Sequence, residues 1–349
     1  MTRFIDTRAL AALLAEVGVR RFMHELTDTM LDDYRRWPDF DKSARLAAHS
    51  DVGVIELMPI SDDAQYAFKY VNGHPSNGRF NLPTVMAFGA LADVATGYPT
   101  LLSELTLATG VRTAVASALA ASVLARDDVE TMGMIGCGAQ SEFQAIAFES
   151  LLGIRRVKLF DIDANAVAKL KTNLERHTNL AVEVADTAEA ASEGVDILTT
   201  ATADKALATI VDAGMLSPGL HINAVGGDCP GKTELAADVL EAASVFVEYE
   251  PQTRIEGDIQ QMPAEFEVTE LWRVLTDQHP GRTSDAEITV FDSVGFALED
   301  YSMLKQVKTY AEALDLGEQI DLVPDLDDNK NLYSLVDAAL ADRPARDAA

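Results

Sequence analysis

Three groups of residues have the types and spacing that chemistry needs. The first, Gly136-Cys137-Gly138-Ala139-Gln140-Ser141, follows the apolar run Met132-Gly133-Met134-Ile135 and opens an amphipathic stretch. Strand, glycine turn and helix in that order cradle a pyrophosphate. Gly136 permits the tight turn, Gly138 lets the backbone approach the anion, and the helix start offers unpaired N–H groups. Ser141 stands where a third glycine is usual, so on this loop alone a plain turn remains an alternative. Asp161 narrows the choice, because it ends the next apolar run near the ~20-residue spacing at which a carboxylate accepts from a ribose 2′-hydroxyl. Such a carboxylate repels a 2′-phosphate, which favours NAD over NADP. The neighbouring Asp163 reads as a helix N-cap.

The second group is cationic. With only 28 basic residues against 56 acidic ones, cations inside apolar stretches stand out. Lys69 lies in Tyr66-Ala67-Phe68-Lys69-Tyr70-Val71, Arg45 in Ser43-Ala44-Arg45-Leu46-Ala47, and Arg112 just ahead of an alanine-rich stretch. Each alone fits a side chain that snorkels to the rim. Converging, they would hold a carboxylate by charge-assisted hydrogen bonds. Glu56, one strand earlier, is the partner either of a substrate amine or of one of these cations. The third group runs from His221 to Glu234, where a buried strand ends in Val225-Gly226-Gly227-Asp228 before a Pro230-Gly231 turn. Open α/β sheets keep their ligands at that edge, making Asp228 the acid–base candidate. Its competing role is to cap a helix beginning near Thr233.

Positioning these groups takes two units, as the length of 349 residues also predicts. Helical periodicity over Thr7–Trp37 is followed by two-fold alternation over Val52–Pro59, Gln65–Val71, Thr84–Val94 and Thr100–Leu107, the last two joined by a turn at Ala95-Thr96-Gly97. Thr113–Ala125 reads as a connecting helix. Beyond it strands and helices alternate, with strands at Thr131–Ile135, Arg156–Phe160, Leu180–Val184 and Asp196–Thr200. Later apolar runs at His221–Val225, Val245–Val247 and Ile288–Phe291 extend the sheet. The expected fold is α/β: a Rossmann-type parallel-sheet domain over 113–319, plus a strand-rich α+β domain over 1–112 with 320–349. From Gly295 to Leu314 the chain turns helical, and the acidic tail after Leu322 either returns to the first unit or hangs free.

Composition narrows the partners. A net charge of −28 repels phosphate backbones and anionic lipid, so nucleic acid and membrane partners are not expected. The apolar run Ala9–Ala15 is too short to span a bilayer. Cys137 and Cys229 are too few for a disulfide framework, which favours a reducing, cytoplasmic setting.

The chain resembles the ornithine cyclodeaminase/mu-crystallin family from Phe40-Asp41-Lys42-Ser43-Ala44-Arg45 to Ile320-Asp321-Leu322-Val323-Pro324. The stretches that carry the resemblance are Tyr66–Pro75, Arg112-Thr113-Ala114, Gly136–Gln144, Asn223–Leu235 and Phe291-Asp292-Ser293-Val294-Gly295. It implies a homodimer, paired through the strand-rich unit, with NAD as cofactor and no metal. It further implies that Arg45, Lys69 and Arg112 hold the carboxylate of L-ornithine, that Asp228 is the acid–base residue, and that Val294 and Glu56 line the substrate site. Thr84, Arg112, Gly136, Gly138, Ala139, Gln140, Asp161, Thr202, Asn223, Ala224, Val225, Gly226, Lys232 and Ser293 would then surround NAD. The implied reaction is hydride abstraction, intramolecular cyclisation, loss of ammonia and hydride return, giving L-proline. Three readings compete: a lysine cyclodeaminase, an amino-acid dehydrogenase or ketimine reductase, and a ligand-binding protein without turnover.

Overall fold

The computed structural model describes residues 1–202 and 207–341. In the first sheet, β1 (Thr2–Ile5), β2 (Asp41–Lys42), β3 (Leu46–Ser50), β4 (Gly53–Ser61), β5 (Gln65–Gly73), β6 (Val85–Asp93) and β7 (Pro99–Glu104) are mainly antiparallel. Period-two alternation sorts their side chains. Ala67, Lys69 and Val71 are buried on one face, while Tyr66, Phe68 and Tyr70 point to the other. Met58 lies opposite Lys69 and Glu56 opposite Val71, so Glu56 and Lys69 share the inner face as diagonal neighbours.

Helices cover that inner face. α1 (Thr7–Val17) and α2 (Val19–Arg35) follow β1, and α2 buries the stripe Phe22, Met23, Leu26, Met30 and Tyr34. α3 (Thr106–Leu124) begins before the alanine run, and the strand ahead of it stops at Glu104 instead of reaching Leu107. The cause is Glu104, whose Oε1 accepts from the Leu107 amide at 2.8 Å and serves a first-turn donor that no N-cap side chain satisfies. Arg112 consequently sits inside the helix, not ahead of it. α3 is buried along nearly its whole length, and its small residues let neighbours close in, with Phe143 packed directly against Gly110.

The second sheet begins with β8 (Thr131–Ile135), α4 (Ser141–Leu152), β9 (Arg156–Phe160), α5 (Ala164–His177), β10 (Ala181–Val184), α6 (Ala188–Ser192) and β11 (Ile197–Thr200). It continues through β12 (Leu207–Val211), β13 (His221–Ala224), β14 (Thr233–Leu235), α7 (Ala237–Glu241), β15 (Ser244–Val247), α8 (Glu250–Glu256), β16 (Thr269–Glu270), α9 (Leu271–Leu275) and β17 (Thr289–Asp292). Eight strands pair in the order β10-β9-β8-β11-β13-β17-β15-β16, all parallel, while β12 and β14 form a separate parallel pair. Winding reverses between β8 and β11, the switch point at which such sheets open a crevice. No helix starts at Thr233. Residues Thr233–Leu235 are strand β14, because the Asp258 carboxylate takes the amides of Glu234 and Leu235 at 2.7 and 2.8 Å.

The chain then returns to the first sheet. α10 (Ala297–Ala313) packs on α2, β4 and β5, and β18 (Glu318–Ile320) adds antiparallel to β1. Beyond it, α11 (Ser334–Ala341) buries no residue. One continuous apolar core joins α1, α2, α3 and α10 to β8 and β9.

Candidate active site

The carboxyl edge of the parallel sheet collects the sequence-predicted groups. After β8 the chain turns at Gly136, whose φ is +99° and where an added Cβ would stand 2.5 Å from Ala201 O; only glycine fits. At Gly138 an added Cβ would meet nothing within 4 Å, so the backbone is open to a ligand. α4 starts without a side-chain cap, leaving its first amides available. Asp161 directly follows β9 and accepts from Cys137 N at 2.7 Å and Asp163 N at 2.8 Å, which fixes its carboxylate beside the glycine loop. Asp163 caps α5 by accepting from Asn165 N. Among the buried acceptors that lack a hydrogen-bond partner are Gln140 Oε1 in this loop and Asn223 Oδ1 on β13. An open glycine turn, a capless helix, a tethered acid and unpaired acceptors fit a dinucleotide.

The cations converge, and each is already paired. Arg45 lies just ahead of β3 with its side chain buried. It donates from Nη1 to Glu56 Oε2 at 3.0 Å and from Nη2 to the carbonyls of Val294 (2.6 Å) and Gly295 (2.7 Å), and its Nε lies 2.9 Å from Glu256 Oε2. Lys69 Nζ reaches Asp300 Oδ2 at 2.7 Å. Arg112 Nε meets Asp300 Oδ1 at 3.0 Å, and its Nη1 is bound to Glu299. Both acids sit in the first turn of α10, so that helix start is what neutralises Lys69 and Arg112. Burial, reinforced by Arg112, pushes the Lys69 ammonium down to about 8. Burial also lifts the carboxyls of Glu256 and Glu299 to about 7 despite Arg45 and Arg112 beside them.

Asp228 lies in the loop after β13 with its side chain about half exposed, and Lys232 Nζ holds its Oδ1 at 3.2 Å. Its charge acts on both Arg45 and Glu256, which places it at the same site as the cationic cluster. Lys232 also donates to Thr202 O at 3.0 Å. Glu234 braces this loop by accepting from Thr202 N (2.7 Å), Thr202 Oγ1 (2.6 Å) and Gly226 N (2.9 Å). Ser293 spends its hydroxyl on Glu248 Oε1 at 2.6 Å, and that carboxyl also accepts from the amides of Val294 (3.3 Å) and Gly295 (3.0 Å). Ala224 ends β13 and Val225 follows it at the same sheet edge, and Ala139 lies in the glycine loop. Thr84 comes from the first sheet, in the β5–β6 connection, where its carbonyl accepts from His74 N and Asn72 Nδ2.

The residues that sequence reasoning missed are carboxylates: Glu234, Glu248, Glu256, Glu299 and Asp300. Ile162 was also missed. It is 95% exposed and adjoins Asp161, an unusual place for an isoleucine and a signal that sequence alone half gives.

A nucleotide crevice whose edge carries three buried cations and a half-exposed aspartate defines a dinucleotide-dependent enzyme acting on a small amino or carboxylic acid. The comparisons agree. The profile of the ornithine cyclodeaminase/mu-crystallin family matches residues 8–314, and the chain belongs to that family. It is 52% identical to an ornithine cyclodeaminase of Agrobacterium fabrum (strain C58) over 333 residues, covering 95% of this chain and 94% of the relative. The fold is similar to a lysine cyclodeaminase described for its recognition of L-lysine, L-ornithine and L-2,4-diaminobutyric acid (TM-score 0.91, 30% identity, 96% of this chain and 99% of that one). It is also similar to an archaeal alanine dehydrogenase dimer with bound NAD (TM-score 0.84, 30% identity, 92% and 99%).

Proposed function

We propose that this protein converts L-ornithine to L-proline and ammonia with NAD as a resident cofactor. The observation that carries the reading is the meeting of Arg45, Lys69, Arg112 and Asp228 at one edge of the dinucleotide sheet. In this chain Gly136, Gly138, Ala139, Gln140 and the first turn of α4 would hold the pyrophosphate, Asp161 the ribose, and Ile162 an apolar face for the base. Thr202, Asn223 to Gly226, Lys232, Ser293 and, across from them, Thr84 would close on the rest. When bound, NAD supplies the hydride acceptor for oxidation at Cα and the hydride donor for reduction of the ring. Arg45, Lys69 and Arg112 exchange internal carboxylates for the substrate carboxylate and fix its Cα. Asp228 takes a proton from the α-amine and returns it to the departing nitrogen, and Lys232 keeps it in reach. Glu56 Oε1, buried without a hydrogen-bond donor, is placed to accept from the distal amine. Val294 lines the pocket and, with the surrounding apolar core, keeps water from a hydrolysable imine.

Incubation with L-ornithine and catalytic NAD should release proline and ammonia in equal amounts without net NADH. Absence of proline, or NADH that accumulates with turnover, would replace the reading with a dehydrogenase. The likeness to the lysine cyclodeaminase keeps L-lysine as a competing substrate, since one methylene is worth only ~1–3 kcal/mol. Ring size of the product separates the two.

We further propose a cytoplasmic homodimer. The outer face of the first sheet exposes Leu46, Ile55, Tyr66 and Phe88, with Phe88 stacked on Tyr70 and edge-on to Phe68, an apolar surface that a second copy would cover.

A further inference from the structure

Lys69 and Arg112 are neutralised by Asp300 and Glu299, but the balance around Arg45 is different. Glu56 lies 3.0 Å and Glu256 2.9 Å from this one guanidinium, and the charge of Asp228 acts on it as well. Lys232 offsets part of Asp228 only. Glu256 is buried at the end of α8, where its carboxyl feels Glu56 and Asp228 as repulsion. Burial and those two neighbours together outweigh Arg45. Once Glu256 is ionised, as it is above about pH 7 in the free protein, a ligand with one carboxylate and one ammonium leaves the cluster with surplus negative charge; a second ammonium removes it and favours the ionised carboxyl.

Resting on the reading above, we infer that Glu256 is a specificity-determining residue, the carboxylate that demands a second ammonium on the ligand and turns away amino acids that have only one. Arg45 engages one oxygen of Glu56 and one of Glu256, so each carboxylate keeps a second oxygen for the distal ammonium and Glu256 acts beside Glu56, not in its place.

The test compares L-ornithine with L-norvaline, which has the same carbon chain without the distal amine, on NAD-loaded enzyme. In the wild type norvaline should inhibit at concentrations well above the ornithine KM; equal potency overturns the inference. In Glu256→Gln the ornithine KM should rise about tenfold or more, while the norvaline inhibition constant stays level or falls. Parallel weakening of both would mean that Glu256 merely holds Arg45, and no change in either would mean that it does not read the ligand; both overturn the inference. Glu256→Asp keeps the charge and should keep the preference, so a folded Asp variant that loses it also overturns the inference, even where the Gln variant does not fold. Wild-type turnover of ornithine is scored first: its absence counts against the reading of the preceding section, whereas turnover with an unaltered preference in Glu256→Gln counts against Glu256 alone.

Discussion

Asp228 is the one acid of the cluster that combines a half-exposed side chain with a lysine tether, which suits a group that must move a proton in both directions. Asp228→Asn removes that capacity while keeping its size, so turnover should fall by roughly 10²–10⁴-fold. NAD titration should give an unchanged affinity, and retention of near wild-type turnover would remove the acid–base role. Asp161 accepts from two backbone amides, so Asp161→Ala should loosen the glycine loop and lower the preference for NAD over NADP, read as the ratio of kcat/KM with the two nucleotides. The cations and Asp228 were legible in the sequence because a charge inside an apolar run, or an acid among glycines, contrasts with its surroundings. Of their partners only Glu56 was, as the pairing with Arg45 bears out. Glu256, Glu299 and Asp300 are three of 56 acidic residues, and only the placement of α8 beside Arg45 and the return of α10 to the first sheet bring them to Arg45, Lys69 and Arg112.

At the scale of elements, the alternating strands and helices were legible from period alone, whereas two boundaries were decided by side chains far from the local pattern. Glu104 pulled the start of α3 back to Thr106, and Asp258 held Glu234 and Leu235 in a strand. The turn after β8 is the element on which the crevice depends. Gly136→Ala must give up a positive φ and push aside the Ala201 carbonyl. The backbone cost alone is about 1–2 kcal/mol, so the variant should melt earlier and lose NAD affinity more than ornithine affinity. Equal melting curves and equal NAD titrations for variant and parent would show that the turn relaxes without consequence. Gly295 is constrained in a related way, with φ +75° and an added Cβ that would meet Arg112 Nη1 at 2.5 Å, so the loop after β17 passes Arg112 closely only because this residue has no side chain.

For the whole molecule, two consequences follow from how charge and apolar surface are distributed. If the outer face of the first sheet pairs two copies, Phe88→Asp should shift sedimentation from dimer to monomer, because an unpaired charge would be buried at the centre of the contact. A dimer that survives the change would move the interface elsewhere. The second consequence concerns pH. Glu256 and Glu299 bind protons up to about 7 when folded but only up to their ordinary value of 4.5 when unfolded. Between those values the folded state carries the extra protons, so stability rises as pH falls from 7 toward 4.5, by an amount on the order of a few kcal/mol. Lys69 acts in the opposite range: its folded value of about 8 lies below 10.5, so its burial penalty is relieved as pH climbs from 8 to 10.5. Asp62, held down to about 2 by Arg36 and backbone donors against its own burial, contributes stability above 3.8 that is lost as pH falls through 2. The ligand-free protein should therefore melt at a higher temperature at pH 5 than at pH 7.5. Glu256→Gln and Glu299→Gln should each flatten that difference, since a side chain that cannot ionise carries no proton to gain. A melting temperature that instead climbs steadily from pH 5 to 7.5 would mean that these buried carboxyls are ionised throughout, with Arg45 and Arg112 compensating them in full.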